Sequence, residues 1–523
     1  MNYVMRILLC ISNIIYLMLI RIFSLIRYKK PPNIPSITDF LLTISATELA
    51  KKIRERKYTS YDVVRTYIER IKEVNPYINA VVDDRYEEAL AEAKNCDALL
   101  KSGNVDIVAL KKQKPLYGVP LTIKEACPVK GLSHTGCTLA HRGRKAIADG
   151  EVVTMLRDAG AIPLCVTNSA EMCGGIDTYN FLYGRSYNPY DTRYTTGGSS
   201  GGEAALLGAG ASLIGIGSDF AGSIRIPGLF CGIFGLKPTS KVIPARDHYP
   251  TNENENFHNC LSYGPMTRYA DDLRLFMEMI STKSNIDLCL DEPVDWKQTK
   301  VYYQQNMGKS FGILSMSPDL EQCILKAADY FSKCGIHTQK IPMEWPASLL
   351  EMTIMQFLNV GKVDVLIDIN NSKLEKSPML EMIKAVFGLS HHTMSLLFFT
   401  LLQQYYNFPK RRKLHYLQKF KEFQETLQQL LGKNGLLIHP TFRITAPFPE
   451  LVLGEVGNIP YCALFNVLGF PAVQVPMGLN KDRMPMGVQI IAAPYQDRLC
   501  LAAAKELEIA FGGWVPPSIE ISD

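Results

Sequence analysis

The 523-residue sequence lacks a strong excess of charge of either sign. It has 56 basic and 51 acidic residues, which gives a net charge of +5. Proteins that bind nucleic acid usually concentrate lysine and arginine on one face and are strongly basic overall, so we expect no nucleic-acid partner. The content of 47% hydrophobic and 20% charged residues is typical of a globular protein with a sizeable core.

The sequence also lacks the cysteine pairs that mark metal and redox sites. No C-x-x-C pair occurs among its 13 scattered cysteines, which argues against a zinc site or a thioredoxin-like site. The odd number and wide spacing favour mostly buried free thiols in a reducing compartment over a disulfide framework. No metal or other cofactor is predicted. Internal repeats and low-complexity tracts are absent as well.

An uncharged apolar run is present near the N-terminus, at residues 7–20. Arg21 follows it, and then a second apolar stretch and a basic, proline-containing end. The run of 14 residues is short for a bilayer span of about 20, but the side chain of Arg21 can reach the interface. The small-residue cleavage site of a signal peptide is missing. We predict a single-pass membrane anchor in residues 1–30, with a cleaved signal peptide as the alternative.

The charges that flank this segment predict its orientation. Basic residues lie mainly on its C-terminal side, and the positive-inside rule then places the rest of the chain in the cytoplasm. We expect a membrane of the endoplasmic-reticulum type. The tripeptide Asn370-Asn371-Ser372 is a glycosylation sequon that would indicate the lumen if it were used.

Two helix starts follow residues 31–44, which we predict to be a linker. Ser45 and Thr59 each precede an acidic residue three positions on, the pattern of a capping box. We expect the second helix to end at Asn75-Pro76, because the residue before a proline is driven out of helical geometry. No further linker is apparent, so residues 45–523 are predicted to form one domain.

Beyond residue 115, short apolar runs alternate with glycine-rich turns and helical stretches. We predict buried strands at 116–123, 161–166, 472–475 and 487–491, and a helix that covers them at 497–511. This alternation predicts an α/β fold with a large sheet between helical layers.

Glycine is concentrated in residues 197–236, which contain 12 of the chain's 37 glycines. Because glycine lets backbone N–H groups approach a ligand, the cluster indicates a site built from the backbone, although tight turns alone also explain it. A phosphate-binding loop is excluded, since no Lys-Ser or Lys-Thr follows at the required spacing. The G-x-S-x-G pattern is matched twice, around Ser199 and Ser200. An esterase of the α/β-hydrolase type, with a downstream histidine, is therefore one hypothesis.

A longer pattern accounts for more of the sequence. It consists of Gly-Gly-Ser-Ser-Gly-Gly at 197–202, Asp219-x-x-Gly222-Ser223-Ile224-Arg225-x-Pro227, and Gly-Leu-Lys-Pro-Thr at 235–239. This pattern resembles the signature of the amidase signature family. Further segments similar to the family occur in order at 74–80, 116–125, 264–268, 469–472 and 485–489. The resemblance covers residues 45–512.

The resemblance implies an amidase-signature fold, in which a large mixed β-sheet is sandwiched between α-helices, and a serine hydrolase that cleaves amide bonds. Position by position, Ser223 matches the family's nucleophile, Ser199 its bridging serine and Lys124 its base. The backbone N–H groups implied for the oxyanion hole are those of Phe220, Ala221, Gly222 and Ser223. Supporting roles around these groups are expected for Ser200, Asp219 and Arg225.

One residue departs from the family pattern. Ala221 stands where the family usually has glycine. Alanine still offers its N–H group, but its side chain resists a positive φ. The geometry of the oxyanion hole therefore depends on which backbone conformation residue 221 adopts.

These residue types suit amide hydrolysis. A serine hydroxyl is a weak nucleophile until a neighbouring group takes its proton, and a lysine can do so only when uncharged. Lys124 follows an apolar run that is predicted to be a buried strand, and burial lowers the pKa of a lysine. We expect Ser199 to pass the Ser223 proton to Lys124 and later to return it to the departing nitrogen, because an amine leaves poorly unless protonated.

Within the family, the anchor and the ending at 511–515 are most similar to the fatty-acid amide hydrolases. This likeness implies lipid amides as substrates, either fatty-acid primary amides or N-acylethanolamines, and the bilayer and a second copy of the chain as partners. The apolar stretch 385–402, with four basic residues at 410–413, is either a core helix with a charged end or a membrane-docking cap. A non-catalytic amidase-like binding subunit is the remaining alternative.

Overall fold

The computed structural model describes Met18 and residues 31–520, apart from residues 282–285, 309, 311, 372–373 and 406–408. The predicted membrane anchor, residues 1–30, lies outside the described residues except for Met18, and so does Ser372 of the glycosylation sequon. In the part of the chain that is described, no helix combines the length and the apolar character needed to cross a bilayer.

Helices make up much of the described chain. The α-helices are α1 (Ala46–Arg54), α2 (Ser60–Ile78), α3 (Tyr86–Lys101), α4 (Ile107–Gln113), α5 (Glu151–Asp158), α6 (Gly201–Gly208), α7 (Arg225–Phe230), α8 (Glu255–Cys260), α9 (Ala270–Ser281), α10 (Pro318–Lys333), α11 (Leu349–Leu358), α12 (Pro378–Val386), α13 (Met394–Tyr405), α14 (Lys410–Leu431), α15 (Pro460–Val467) and α16 (Asp497–Phe511). Short 3₁₀ helices occupy Phe40–Thr43, Leu139–His141, Glu171–Cys173 and Pro449–Asn458.

The strands lie between these helices. They are β1 (Val81–Asp84), β2 (Pro120–Lys124), β3 (Ile162–Thr167), β4 (Tyr179–Asn180), β5 (Gly184–Arg185), β6 (Ile214–Asp219), β7 (Phe234–Lys237), β8 (Ser262–Thr267), β9 (Lys300–Tyr303), β10 (His337–Lys340), β11 (Gly435–His439), β12 (Ala472–Leu479) and β13 (Pro485–Ala492).

One large mixed sheet organises the molecule. Eleven strands follow the order β1-β3-β2-β6-β8-β7-β12-β13-β11-β9-β10, and β4 pairs with β5 separately. Strand β2 is parallel to both of its neighbours, β3 and β6, whereas β6 and β8 are antiparallel. Helices cover the sheet, with α3 on β3 and α16 on β12 and β13. The predicted α/β class, with a large mixed sheet flanked by helices, is confirmed.

The predicted helix starts are confirmed by their caps. The side chain of Ser45 accepts a hydrogen bond from the N–H of Glu48, and the side chain of Thr59 accepts one from the N–H of Asp62. Each bond satisfies a backbone donor that has no partner within the helix. The covering helix predicted at 497–511 also has the bounds that the structure shows.

The predicted end of α2 at Asn75-Pro76 is wrong. The helix continues through Pro76 to Ile78. Proline removes one backbone donor, but here it lies in the last turn, where few bonds remain to be lost. Asn75 then closes the helix, because its carbonyl accepts the N–H of Asn79 and its side chain accepts the N–H groups of Ala80 and Val81.

The first predicted strand begins later than expected. Residues 116–119 form a turn, in which the N–H of Val119 bonds the carbonyl of Leu116 and Gly118 has a φ of 75°. Only glycine adopts such a φ at little cost. Strand β2 therefore starts at Pro120 rather than at residue 116 and ends on Lys124.

Residues 31–44, predicted to be a linker, lie against the domain. Ile34, Ile37 and Leu42 are buried in its core. The N–H of Ile37 bonds the carbonyl of Ser518, and the carbonyl of Ile37 accepts the N–H of Glu520. The two ends of the described chain are thereby joined.

Candidate active site

The predicted base lies at the carboxyl ends of two neighbouring parallel strands of the sheet. Lys124 is the last residue of β2, and Ser218 is the penultimate residue of the neighbouring β6. Ile123 pairs with Ile216 in register, so both strands end at the same place, and the side chains of Lys124 and Ser218 are hydrogen-bonded there. Carboxyl ends of parallel strands are where α/β proteins commonly place their reactive groups.

Lys124 is completely buried, and its amine lies close to two hydroxyl groups and to the thiol of Cys173. The Nζ atom lies 2.6 Å from the Oγ atom of Ser199 and 2.9 Å from that of Ser218. Burial lowers the pKa of Lys124 below the ordinary value for lysine, since an ammonium group is poorly solvated in a protein interior. The site therefore favours an uncharged amine at this position.

The glycine-rich loop before α6 carries the predicted bridging serine. Both Ser199 and Ser200 are buried. The carbonyl of Ser199 accepts the N–H of Ala170 at 3.3 Å. Gly198 allows this close packing, because a Cβ atom there would lie 2.7 Å from the carbonyl oxygen of Gly175. A larger residue would push the loop away from its neighbours.

Ser223, the predicted nucleophile, is half-buried and lies beside this loop. Its carbonyl accepts the N–H of Ser200 at 3.2 Å, so the segments that carry Ser199 and Ser223 are held together by a backbone bond. No hydrogen bond to the Ser223 hydroxyl is found within the described chain. The structure thus joins Lys124 to Ser199 directly and holds the backbone of Ser223 against that of Ser200.

One of the four backbone N–H groups predicted to form the oxyanion hole, residues 220–223, already donates to another group of the protein. The N–H of Gly222 donates to a carboxylate oxygen of Asp219 at 2.7 Å. Among the described residues, no acceptor is bonded to the N–H groups of Phe220, Ala221 and Ser223. The positive φ in this segment, 114°, belongs to Gly222 and not to Ala221. Ala221 therefore adopts a backbone conformation that alanine tolerates without strain.

Asp219 and Arg225 form a buried ion pair under this segment. The Nε atom of Arg225 lies 3.1 Å from Asp219, and the guanidinium also donates to the side chains of Asn466 and Gln489. Burial alone would raise the pKa of Asp219, but Arg225 and its other partners hold it well below its ordinary value. The pair fixes the backbone of the segment and touches neither predicted catalytic serine.

Ser200 links three parts of the site. Besides its backbone bond to Ser223, its hydroxyl donates to the carbonyl of Ser218 at 3.3 Å and accepts the N–H of Ser218 at 3.4 Å. Ser200 therefore supports the loop rather than contacting Lys124.

Three further side chains beside Lys124 were not singled out by the sequence. The Nε2 atom of His248 lies 2.9 Å from the Oγ atom of Ser218 and 3.9 Å from the Sγ atom of Cys173. Burial raises the pKa of the Cys173 thiol, but Lys124 and His248 outweigh this effect and lower it to about 5. No sequence pattern marks these residues, because their contacts join residues 30 to 94 positions apart.

The esterase hypothesis requires a histidine at Ser199 or Ser200. All nine histidines lie in the described part of the chain, and none of them is hydrogen-bonded to either serine hydroxyl. The Oγ atom of Ser199 bonds Lys124 instead. Within the described residues there is likewise no cluster of side chains suited to hold a metal ion. All the described cysteines are free thiols, most of them buried.

A cavity of about 360 Å³ lies next to the glycine-rich loop. One wall contains Ala170 and Gly175, the neighbours of Ser199 and Gly198. Its lining also contains Ala385 and Met394 of α12 and α13. The cavity therefore joins these two helices to Ala170 and Gly175, which pack against the loop that carries Ser199.

Comparison with known proteins agrees with this geometry. A family model described as Amidase matches residues 62–501. Human fatty-acid amide hydrolase 2 is 37% identical over 496 residues, which cover 92% of this chain and 91% of that protein. Fatty-acid amide hydrolase 2-B of Danio rerio is 36% identical over 497 residues, covering 94% of each protein. A bacterial aryl acylamidase of the amidase signature family shares the fold, with a TM-score of 0.72 and 22% identity over 89% of this chain and 96% of that one.

Proposed function

We propose that this chain, which belongs to the amidase signature family and is an amide hydrolase, cleaves lipid amides taken from a membrane. The substrates proposed are fatty-acid primary amides or N-acylethanolamines, and the products are a fatty acid and ammonia or an amine. The relatives named above support this choice, since two of them are fatty-acid amide hydrolases that match more than nine-tenths of this chain.

The proposed reaction uses Ser223, Ser199 and Lys124. The neutral Lys124 amine takes the Ser199 proton while Ser199 takes that of Ser223, whose oxygen attacks the amide carbonyl. The proton returns along the same path to the nitrogen, the C–N bond breaks, and the acyl group remains on Ser223. Water then attacks the acyl-enzyme and gives a proton to Ser199, which passes its own proton to Lys124. The proton returns through Ser199 to the Ser223 oxygen as the ester C–O bond breaks and the fatty acid is released. Free backbone N–H groups near residues 220–223 would stabilise the oxyanion.

An exposed apolar surface next to the cavity carries the proposal for a lipid substrate. Met379, Leu380, Ile383, Val386 and Phe387 project from α12 at helical spacing and are all exposed, Val386 at 71% and Phe387 at 73%. Contiguous apolar exposure of this kind marks an interaction site. Because Ala385 of α12 also lines the cavity, a lipid that meets this surface would enter beside Ala170 and Gly175, the neighbours of Ser199 and Gly198.

Charge at the start of α14 supports contact with a bilayer. Residues 410–413 are four consecutive basic residues, and three of them are exposed. Such clusters attract anionic headgroups while neighbouring apolar residues enter the interface. Within residues 385–413, Leu396 and Leu397 of α13 are buried, whereas Val386, Phe387 and Leu389 are exposed. The proposed docking surface therefore consists of the start of this stretch and the adjoining face of α12.

We extend the proposal to the location of the protein. Residues 1–30 would anchor the chain in a membrane of the endoplasmic-reticulum type, with the catalytic domain facing the cytoplasm. A homodimer, formed with a second copy of the chain, remains a prediction.

A substrate panel on the full-length protein tests this function. We expect kcat/KM for oleamide and N-oleoylethanolamine to exceed that for butyramide by at least about a hundredfold, because each buried methylene adds about 0.8 kcal/mol. The S223A variant is the control and should show no turnover. Faster hydrolysis of butyramide or of an aryl acylamide than of both lipid amides would overturn the assignment of the substrate.

The cap is tested by replacing two exposed residues with charge. The V386E/F387E variant should hydrolyse oleamide in anionic vesicles at least about tenfold more slowly, while its turnover of a soluble short-chain amide is unchanged. The I147E variant is the matched control, because Ile147 is 93% exposed and lies away from α12. Equal losses on both substrates, or in both variants, would contradict a docking role.

A further inference from the structure

A chain of polar groups lies behind Lys124 that the reaction above does not use. The carbonyl oxygen of Pro250 lies 2.7 Å from Nδ1 of His248, and Nε2 of His248 lies 2.9 Å from Oγ of Ser218. Ser218 in turn lies 2.9 Å from Nζ of Lys124. Both His248 and Ser218 are buried, so bulk water does not compete for these bonds.

The carbonyl at its end, together with a neutral imidazole, determines the direction of every bond in this chain. A carbonyl oxygen can only accept, so Nδ1 of His248 must carry a proton and donate it to Pro250. In the neutral ring, Nε2 is then an acceptor, and the Ser218 hydroxyl donates its one proton to it. The Ser218 oxygen has only lone pairs left, so it accepts an N–H from Lys124.

This polarity determines where the lone pair of a neutral Lys124 points. A neutral amine has two N–H donors and one lone pair. Ser218 accepts one N–H, and Ser199, at 2.6 Å, is the other hydroxyl bonded to the amine. With Ser218 fixed as an acceptor, the lone pair is free to face the Ser199 proton. If Ser218 could donate instead, its proton would occupy the lone pair that Ser199 needs.

We propose that His248 is a positioning residue that acts through Ser218 to aim the lone pair of Lys124 at Ser199. The inference rests on the proposed function, because it assigns a task to the proposed base. His248 does not itself reach Ser199 or Ser223. Its effect is to remove the alternative orientation of the Ser218 hydroxyl.

Several side chains from other segments face the His248 ring. Cys173 lies 3.9 Å from Nε2, and the ring of Tyr263 lies 5.7 Å away between centroids. His134 and Lys124 are the other titratable groups nearby, and no carboxylate is bonded to the imidazole among the described residues.

Four variants test the proposal in full-length protein with oleamide. H248L and H248F remove the acceptor, and each should lower kcat at least about tenfold with little change in KM, since the loss falls on proton transfer rather than binding. H248Q offers a side-chain oxygen to Ser218 and should recover most of the lost rate. H337L is the matched control, because His337 is exposed at the start of the edge strand β10, and it should behave like the wild type.

A double-mutant cycle separates positioning from packing. If His248 acts through Ser218, H248L should lower kcat no further once Ser218 is alanine, so that S218A/H248L equals S218A. Additive losses, or a wild-type kcat in both H248L and H248F, would overturn the proposal. The S223A variant separates the proposed function from the role of His248. Turnover by S223A would refute the proposed function itself. An inactive S223A together with a wild-type kcat in H248L would refute only the role of His248.

Discussion

The side-chain nitrogen of Lys124 lies 2.6 Å from the side-chain oxygen of Ser199, and both residues are fully buried. An ammonium ion in this position would have two hydroxyl groups and the Cys173 thiol as its neighbours and no hydrogen-bonded carboxylate among the described residues. Isolated buried charge is costly, and a lysine relieves the cost by losing its proton. The predictions below follow from an amine held neutral by burial.

Replacing Lys124 by methionine should remove most of the activity. The substitution keeps an unbranched side chain of similar length but takes away the proton acceptor. We expect kcat to fall by about 10²–10⁴, the usual contribution of a general base, while binding of oleamide to S223A/K124M and to S223A remains similar. A K124M enzyme within about threefold of the wild type would contradict the role of the base.

The same substitution should stabilise the fold in a pH-dependent way. Because burial lowers the pKa of Lys124 in the folded state, the unfolded chain binds more protons than the folded one. The loss of folding stability caused by burying Lys124 is fully present below its pKa in the folded state. This loss disappears as the pH rises toward the pKa of lysine in the unfolded chain, 10.5. The Tm gain of K124M should therefore shrink as the pH is raised. K130M, at an exposed lysine, is the control, and a gain that grows with pH would be inconsistent with a buried neutral amine.

Removing Cys173 should shift the pH profile of the enzyme downward. A Cys173 thiolate raises the pKa of Lys124, so C173A lets the amine lose its proton at lower pH. We expect the acid midpoint of the kcat/KM profile to move to lower pH, and the exposed-site variant C334A to leave it unchanged. An upward shift in C173A would mean that the thiol does not act on Lys124 electrostatically.

Removing the methyl group of Ala221 should have little effect on activity, whereas adding one at Gly222 should be harmful. Ala221 does not adopt a positive φ, so A221G should alter kcat by less than about threefold. Gly222 has a φ of 114°, and a Cβ atom there would lie 2.5 Å from the Cβ of Cys462. Strain of this kind costs about 1–3 kcal/mol, and G222A should lower both the Tm and kcat. A harmless G222A would show that the segment tolerates other backbone geometries.

Replacing Arg225 alone should destabilise the fold more than replacing Asp219 and Arg225 together. R225M leaves Asp219 buried without its cation, which typically destabilises a protein by about 3–5 kcal/mol. The double variant D219N/R225M removes both charges and should regain part of that loss. Urea denaturation of the three proteins measures the difference, and equal stability of the single and double variants would argue against an unpaired charge as the cause.

The sequence predicted those parts of the site that lie within one continuous motif. Ser199, Ser223 and Lys124 each follow from a local pattern, and the structure brings Lys124 and Ser199 into contact. The covering helix at 497–511 was predicted to the residue, because its apolar spacing and flanking signals are local too.

What the sequence could not predict depends on contacts between distant segments. His248 reaches Ser218 from 30 positions away and Cys173 from 75, and nothing in its neighbours marks it. The apolar stretch 385–402 is uniform in sequence, and only the structure separates its exposed residues Val386 and Phe387 from its buried residues Leu396 and Leu397. The use of the Gly222 N–H by Asp219 depends on a turn that the motif does not specify.

The position of a covalent adduct tests the central claim most directly. Full-length protein is treated with a fluorophosphonate, digested, and sequenced by tandem mass spectrometry, with K124M as a slow-reacting comparison. The account predicts a single adduct, on Ser223, that forms much more slowly in K124M and is absent from S223A. An adduct on Ser199, Ser200 or Cys173 in the wild type, or unchanged labelling of S223A, would contradict it.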